Sequence, residues 1–242
     1  MKMHEKTFNL VILAMFTAII AMLAFLPIGF IPLPFGLRPT TIHIPVIIGS
    51  LVLGPKYGAF LGFVFGLVSF LNNSFFNPIP TSFVFSPFIN LPGQDSGSLL
   101  SLIIVFIPRI LVGIVPWYVC QGLKKLLSEK RMPLNWAISA IAGSLTNTFL
   151  VLGLIYFIFG ETWNSARANP ADVVLVGIMG LITSNGIPEA IVAGIIVTAV
   201  VGALTVAIKP KQEAHHLTIS QTGSKIFQES KSVDESVEEE QK

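Results

Sequence analysis

Six long apolar runs, separated by charged and turn-forming segments, dominate the sequence. They cover residues 8–28, 40–54, 57–72, 98–123, 134–159 and 187–208. About 20 apolar residues form a helix that crosses the hydrocarbon core of a bilayer, which is about 30 Å thick. We therefore predict an all-α integral membrane protein, a bundle of six transmembrane helices. The second and third runs are short and share the turn LGPKYG, which is typical of a helical hairpin.

The composition agrees with a membrane protein and excludes a soluble one. Of the 242 residues, 52% are hydrophobic and 12% are charged, whereas a soluble domain carries about 25% charged residues. The net charge of +2 is too small to indicate a nucleic-acid partner. A single cysteine, Cys120, excludes a disulfide framework. Because Cys120 lies in an apolar run, we interpret it as a small packing residue.

The basic residues indicate how the helices are oriented. Nine of them fall on one side of the six-helix arrangement: Lys2, Lys6, Lys56, Lys124, Lys125, Lys130, Arg131, Lys209 and Lys211. Arg38 and Arg167 fall on the other side. Since lysine and arginine accumulate in cytoplasmic loops, both termini are predicted to be cytoplasmic. The membrane domain is predicted to cover residues 1–211, and the polar, acidic segment 212–242 is predicted to be a disordered cytoplasmic tail.

The chain from Asp172 to Ile208 is apolar but too long for one helix to cross the membrane. The sequence TSNGIPE at 183–189 contains an Asn-Gly pair and a proline, which break helices. We therefore place the start of the last helix after Gly186. Residues 172–184 are too few to span the membrane and are predicted to form a half-buried or re-entrant segment that other protein covers.

Two long loops are predicted on the outer side of the membrane. Residues 29–41 contain three prolines and cannot be helical throughout. Residues 72–97 contain four prolines, five phenylalanines and several amides, among them Asn90. A loop of this length is usually functional or disordered, and this one is too aromatic for disorder. It is either a lid over an outward-facing pocket, with Asn90 at the ligand, or an aromatic belt at the membrane interface.

Two charged residues stand out in the predicted helices. Arg109 lies in the middle of the fourth helix, where an arginine is costly and usually faces a cavity or a partner. Either it anchors a carboxylate or phosphate of a ligand, or it forms an internal salt bridge with Glu189. Glu189 lies in the first turn of the last helix, where the helix dipole stabilises a carboxylate. Alternatively, Glu189 and Asn185 line one pocket near Arg109.

Two uncharged polar residues are further candidates for ligand contact. Asn147 lies near the middle of the fifth helix, in a row with Ser139 and Gly143 at four-residue spacing. An asparagine at this depth bonds either a neighbouring helix or a ligand. His43 lies near the outer end of the second helix, just before Pro45, and is a candidate for the same pocket.

Small residues recur every four positions in three helices. The rows are Ala14 and Ala18 in the first helix, Gly58, Gly62 and Gly66 in the third, and Ala190, Gly194, Thr198 and Gly202 in the last. In lipid, helices associate through close contact between small residues. Such rows pack helices within a bundle, but three rows exceed what six short helices require. At least one row is therefore predicted to meet another membrane protein.

Motifs for catalysis and nucleotide binding are absent from the sequence. It contains no HExxH, no GxSxG, no Walker lysine loop and no clustering of cysteine with histidine. We therefore predict that the chain is not an enzyme, binds no metal and cannot by itself use ATP. A stand-alone secondary transporter is an alternative, but inverted repeats and paired intramembrane carboxylates, which would indicate one, are not evident.

These features together resemble the substrate-binding S component of an energy-coupling factor (ECF) transporter. The resemblance rests on six short helices, a long outer loop after the third and the Ala14-x3-Ala18 row in the first. The stretch TTIHIPVIIGSLVLGPKYGAFLGFVFG at 40–66 is similar to the second and third helices of that family. The likeness covers nearly the whole chain except the acidic tail. RPTTIHIP, TSNGIPEAI and the mid-helix Arg109 look most like the pantothenate-type members.

The resemblance implies a vitamin-binding subunit without a cofactor of its own. Such proteins bind a vitamin beneath the outer loops. They dock through the alanine motif, here Ala14 and Ala18, onto a membrane T subunit that carries two cytoplasmic ATPases, and they are thought to topple in the membrane to release the vitamin. Arg109 suits a vitamin with a carboxylate, such as pantothenate. Folate also has carboxylates, and riboflavin could use the aromatic lid.

Overall fold

The computed structural model of the chain describes residues 2–25, 41–79, 81–127, 131–167, 180 and 182–206. Within these ranges every regular element is helical. The main helices are α1 (Lys2–Phe25), α2 (His43–Leu53), α3 (Pro55–Leu71), α4 (Ser101–Lys124), α5 (Met132–Arg167) and α6 (Ile187–Val206). The chain divides into two compact units, Met1–Val201 and Gly202–Lys242.

The bounds of the helices agree closely with the predicted apolar runs, except at the start of α1, which begins at Lys2 instead of residue 8, and at the end of α5. That helix continues to Arg167, eight residues beyond the predicted end at 159. Its extension, GETWNSAR, is polar but contains no proline, so the helix continues although the hydropathy falls. The predicted tail 212–242, residues 172–179 of the predicted re-entrant segment and nearly all of the loop 29–41 lie outside the described residues.

Five of the described helices are long and apolar enough to cross a membrane, and α2 is the exception. Helix α2 has 11 residues, fewer than the roughly 17 that a span needs. Its residues from His43 to Ser50 are all buried. A helix that is apolar on all sides lies in the interior of a protein or in lipid. Here α2 packs against α1, α3, α4 and α5.

Glycines determine how closely α2, α3 and α4 approach one another. Gly54 alone separates α2 from α3 and has a φ of 98°, a conformation that favours glycine. A Cβ atom on Gly58 would clash with the carbonyl oxygen of Gly113, and a Cβ atom on Gly113 would clash with the carbonyl oxygen of Gly58. Gly62 meets the carbonyl oxygen of Arg109 in the same way. The glycine row of α3 therefore packs helices within the bundle.

The 72–97 segment is folded and partly inserted into the core. It contains a π-helical turn, Asn72–Phe76, and a 3-10 turn, Ser82–Val84. Two of its side chains, Phe83 and Val84, are fully buried and pack in one cluster with Ile104, Val151, Ile155 and Phe159 of α4 and α5. Three other phenylalanines, Phe75, Phe76 and Phe88, are exposed. The segment is thus anchored in the bundle and also presents aromatic rings on its surface.

Hydrogen bonds of two buried serines, Ser74 and Ser86, connect parts of the 72–97 segment, and their contribution to stability can be measured. The Ser74 hydroxyl donates to Ser86 Oγ at 2.7 Å, and the Phe88 amide donates to the same oxygen at 3.2 Å. We expect Ser86→Ala to lower the free energy of unfolding by about 1–3 kcal/mol, because the buried Ser74 hydroxyl and the partly buried Phe88 amide lose their partner. Thermal unfolding in detergent measures this change. The control is Ser96→Ala at an exposed position of the same segment, and an equal effect of both variants would contradict the prediction.

Candidate binding site

Arg109 is buried within α4 although it carries a charge. Its side chain is 4% exposed, and its backbone packs against Gly62 of α3. The guanidinium donates through Nη1 to the carbonyl oxygen of Ile104 at 2.7 Å. Its Cζ atom lies 5.5 Å from the ring centroid of Phe65 and 5.2 Å from that of Phe85. These contacts, which come from the described part of the chain, include no carboxylate.

Helices α4 and α5 are antiparallel, and two contacts define their register. The Asn135 side-chain amide donates to the carbonyl oxygen of Cys120 at 3.0 Å. Further along, Gly143 packs directly against Pro116. Because the helices are antiparallel, moving towards the start of α4 corresponds to moving towards the end of α5 by the same number of residues. Counted from the two contacts, Arg109 lies opposite residues 146–150 of α5. Arg109 and Asn147 therefore lie at the same level, meaning the same position along the bundle axis.

Helix α2 brings His43 to this level as well. Ile47 contacts Gly143 of α5. His43 lies one turn before Ile47, and Asn147 lies one turn after Gly143. Since α2 and α5 run in opposite directions from this contact, His43 and Asn147 are at one level. His43 is 1% exposed and Asn147 is 7% exposed, so both side chains lie in the interior.

The start of α6 approaches α5 at the same level. Residues Ile182–Gly186 form a π-helical turn that ends against α5, where Gly186 packs on Thr148. This contact places Asn185 close to the level of Asn147. Glu189 follows by one turn, and both Asn185 and Glu189 are half-buried. The predicted break before α6 therefore brings two of the predicted ligand-binding residues to the level of Arg109.

The remaining predicted residues lie on the surface. Asn90 is exposed on the 72–97 segment. Ala14 and Ala18 are exposed on α1, together with the larger apolar side chains of Leu10, Val11, Met15 and Met22. Five of the six predicted ligand-binding residues thus share one level, Asn90 lies elsewhere, and the alanine row faces away from the core.

Several buried polar atoms near this level have no hydrogen-bond partner in the described structure. They include Arg109 Nε, Asn147 Oδ1 and Ser144 Oγ. Unsatisfied buried polar atoms are rare in native proteins. A polar ligand enclosed by α4, α5 and the start of α6 would satisfy them. Sequence reasoning missed Ser144, although its position three residues before Asn147 places both on one helix face.

A chain with several apolar spans and an enclosed set of unsatisfied polar groups has the features of a multi-pass membrane transport protein. The model of the family described as "ECF transporter, substrate-specific component" matches residues 8–201. The chain belongs to this family. It is accordingly a transporter component of the bacterial plasma membrane and not an enzyme.

Two curated relatives and one solved structure are similar to the chain. It is 42% identical over 206 residues to a pantothenic acid transporter of Lactococcus lactis subsp. cremoris, covering 84% of this chain and 96% of the relative. It is 30% identical over 214 residues to a pantothenate transporter of Leuconostoc mesenteroides, covering 85% and 95%. The crystal structure of an S component for biotin from an ECF-type ABC transporter matches with a TM-score of 0.52 and 20% identity, covering 81% and 92%. At this identity the structural match supports the shared fold alone.

Proposed function

We propose that the chain is the pantothenate-binding S component of an ECF-type importer. The observation that carries the proposal is Arg109, a buried guanidinium whose contacts within the described residues include no carboxylate. Pantothenate carries one carboxylate, two hydroxyls and one amide. The names of the two relatives that cover most of this chain support the same vitamin.

The carboxylate of pantothenate pairs with the guanidinium of Arg109 in this proposal. A bidentate pair of this kind is stronger than neutral hydrogen bonds, and its low-dielectric surroundings strengthen it further. The rings of Phe65 and Phe85 stabilise the guanidinium through cation–π contacts before the ligand arrives. The ligand hydroxyls and amide bond to Asn147, Asn185, Glu189 and His43. Asn90, on the 72–97 segment, contacts the ligand when this segment covers the site as a lid.

The proposal also includes topology and partners. In the proposed topology the six helices form one membrane bundle with both termini cytoplasmic, and α2, which is too short to cross the hydrocarbon core by its own length, lies within the protein interior. The ligand enters from outside. Release inside requires docking of the α1 surface around Ala14 and Ala18 on a membrane T subunit, whose two ATPases hydrolyse ATP. The S component itself needs no cofactor.

Equilibrium binding tests the proposed ligand. Detergent-solubilised protein is incubated with radiolabelled pantothenate in the absence of ATP, and unlabelled pantothenate, riboflavin, folate and biotin compete. We expect saturable binding at one site, displaced by pantothenate alone. Displacement of the label by riboflavin, folate or biotin would contradict pantothenate as the specific ligand. Uptake by this chain alone in proteoliposomes, driven by a proton gradient, would instead indicate a secondary transporter.

The docking surface is tested by enlarging the alanines of α1. We expect Ala14→Trp and Ala18→Trp to keep the affinity for pantothenate and to lower uptake at least about tenfold when the T subunit and ATPases are present. An indole at these positions prevents the close approach that small residues allow. Uptake into ATP-loaded proteoliposomes measures the effect. Phe8→Trp, at another exposed position of α1, is the control, and normal uptake by both alanine variants would place docking elsewhere.

A further inference from the structure

Ser144 carries a buried hydroxyl that the fold leaves unsatisfied. Its side chain is 1% exposed, and Oγ has no hydrogen-bond partner in the described structure. Other hydroxyls of α5 donate to the carbonyl oxygen four residues earlier: Ser139 at 2.8 Å, Thr146 at 2.7 Å and Thr148 at 3.4 Å. This bond is the usual arrangement for serine and threonine within a helix. Ser144 is an exception in the middle of α5.

The direction of Ser144 follows from the contacts of its neighbours. Gly143 faces Pro116 of α4, while Thr148 faces Gly186 at the start of α6. At about 100° per residue, these two directions are about 140° apart around α5. Asn147 lies about 40° and Ser144 about 100° from Gly143, within this arc. Both side chains therefore project between α4 and the start of α6, towards the interior of the bundle.

Ser50 shows that an unsatisfied buried hydroxyl alone is not sufficient for a ligand site. Its Oγ is also buried and has no hydrogen-bond partner among the described residues. However, Ser50 packs against Gly58, where α3 meets Gly113 of α4. It lies two turns beyond His43 along α2, and closely packed backbone leaves no space there. Ser144 differs because it shares its helix face with the unsatisfied Asn147 Oδ1 at the level of Arg109.

We propose that Ser144 is a specificity residue of the ligand site, which rests on the function proposed above. Ser144 and Asn147 together bind the hydroxyl or amide portion of the ligand whose carboxylate pairs with Arg109. Asn147 Oδ1 accepts a hydrogen bond from one ligand O–H or N–H, and Ser144 Oγ accepts a hydrogen bond from a neighbouring ligand O–H or N–H. Residues three apart on a helix have Cβ atoms about 5–6 Å apart. This spacing suits neighbouring polar groups of one small molecule.

The test combines protein variants with ligand analogues. Affinities of the wild type and of Ser144→Ala are measured for pantothenate, for its two monodeoxy analogues and for an analogue with a methylene ketone in place of the amide. We expect Ser144→Ala to bind pantothenate about three- to tenfold more weakly, the effect of one neutral hydrogen bond. For the analogue that lacks the partner group, wild type and variant should bind equally. Ser50→Ala is the control and should retain the wild-type affinities.

The outcomes separate this inference from the proposed function. Wild-type affinity of Ser144→Ala for pantothenate would overturn the inference, and so would an equal loss for all three analogues. If the wild type prefers riboflavin, folate or biotin, pantothenate is wrong as the ligand. Ser144 is then judged by the affinity of Ser144→Ala for the preferred vitamin. If the wild type binds none of them, both proposals are wrong.

Discussion

Arg109→Met should reduce the affinity for pantothenate by at least about thirtyfold while the protein remains folded. Removing one partner of a buried charge pair costs about 2–5 kcal/mol, which corresponds to about thirtyfold to several thousandfold in affinity. Methionine is unbranched and flexible, so it fills most of the volume of the arginine side chain. Equilibrium binding with radiolabelled pantothenate measures the loss. Unchanged affinity would contradict the role of Arg109 as the carboxylate anchor.

The stability of the same variant separates binding from structure. In the ligand-free protein the buried guanidinium donates to one carbonyl oxygen and lies near two aromatic rings. Replacing a buried charge with an apolar side chain of similar volume is often neutral or stabilising. We therefore expect the melting temperature of ligand-free Arg109→Met to equal or exceed that of the wild type. Arg131→Met, at an exposed position, serves as the control and should change neither affinity nor stability.

Gly113→Leu should prevent stable folding of the bundle. The Cβ atom of any larger residue at this position would clash with backbone of Gly58, and α3 could not move away without losing its contact with α4. Overpacking a core costs about 1–3 kcal/mol or more, and here the obstacle is backbone rather than a flexible side chain. We expect a loss above about 3 kcal/mol, a large part of the total stability of a typical protein.

The measurement is thermal unfolding of detergent-solubilised protein, followed by size-exclusion chromatography. Gly122→Ala provides a matched control on the same helix, because, outside the adjacent helix backbone, no atom of the described residues lies within 4 Å of the position its Cβ would take. Alanine is favoured over glycine in a helix by about 1 kcal/mol, so this variant should be slightly more stable than the wild type. A well-folded Gly113→Leu variant would contradict the close contact between α3 and α4.

The helices themselves could be predicted from hydropathy and from helix-breaking residues. Gly54 and the NGIP sequence mark the ends of α2 and the start of α6 because their backbone preferences are local. The extension of α5 to Arg167 was missed because a helix can continue into polar sequence that hydropathy does not register. The burial of Phe83 and Val84 was missed for another reason. The residues of an irregular loop follow no regular period, so the sequence does not indicate which of its side chains enter the core.

The candidate site was only partly accessible. A charged or amide side chain within an apolar run is conspicuous, so Arg109 and Asn147 could be selected by type and depth. Ser144 could not, because a serine in a helix normally bonds to its own backbone and attracts no attention. Its unsatisfied hydroxyl becomes visible only when the contacts around it are known.

The sequence by itself determined the class of protein, because bilayer thickness and the cost of buried charge act on the chain locally. The glycine row of α3 also predicted a close contact with another helix, but the sequence did not identify that helix. Only the tertiary structure decided that Gly58 meets Gly113, that Gly62 meets the backbone of Arg109, and that residues far apart in the chain share one level. Helix register depends on which side chains interlock between helices, and no local pattern specifies that pairing.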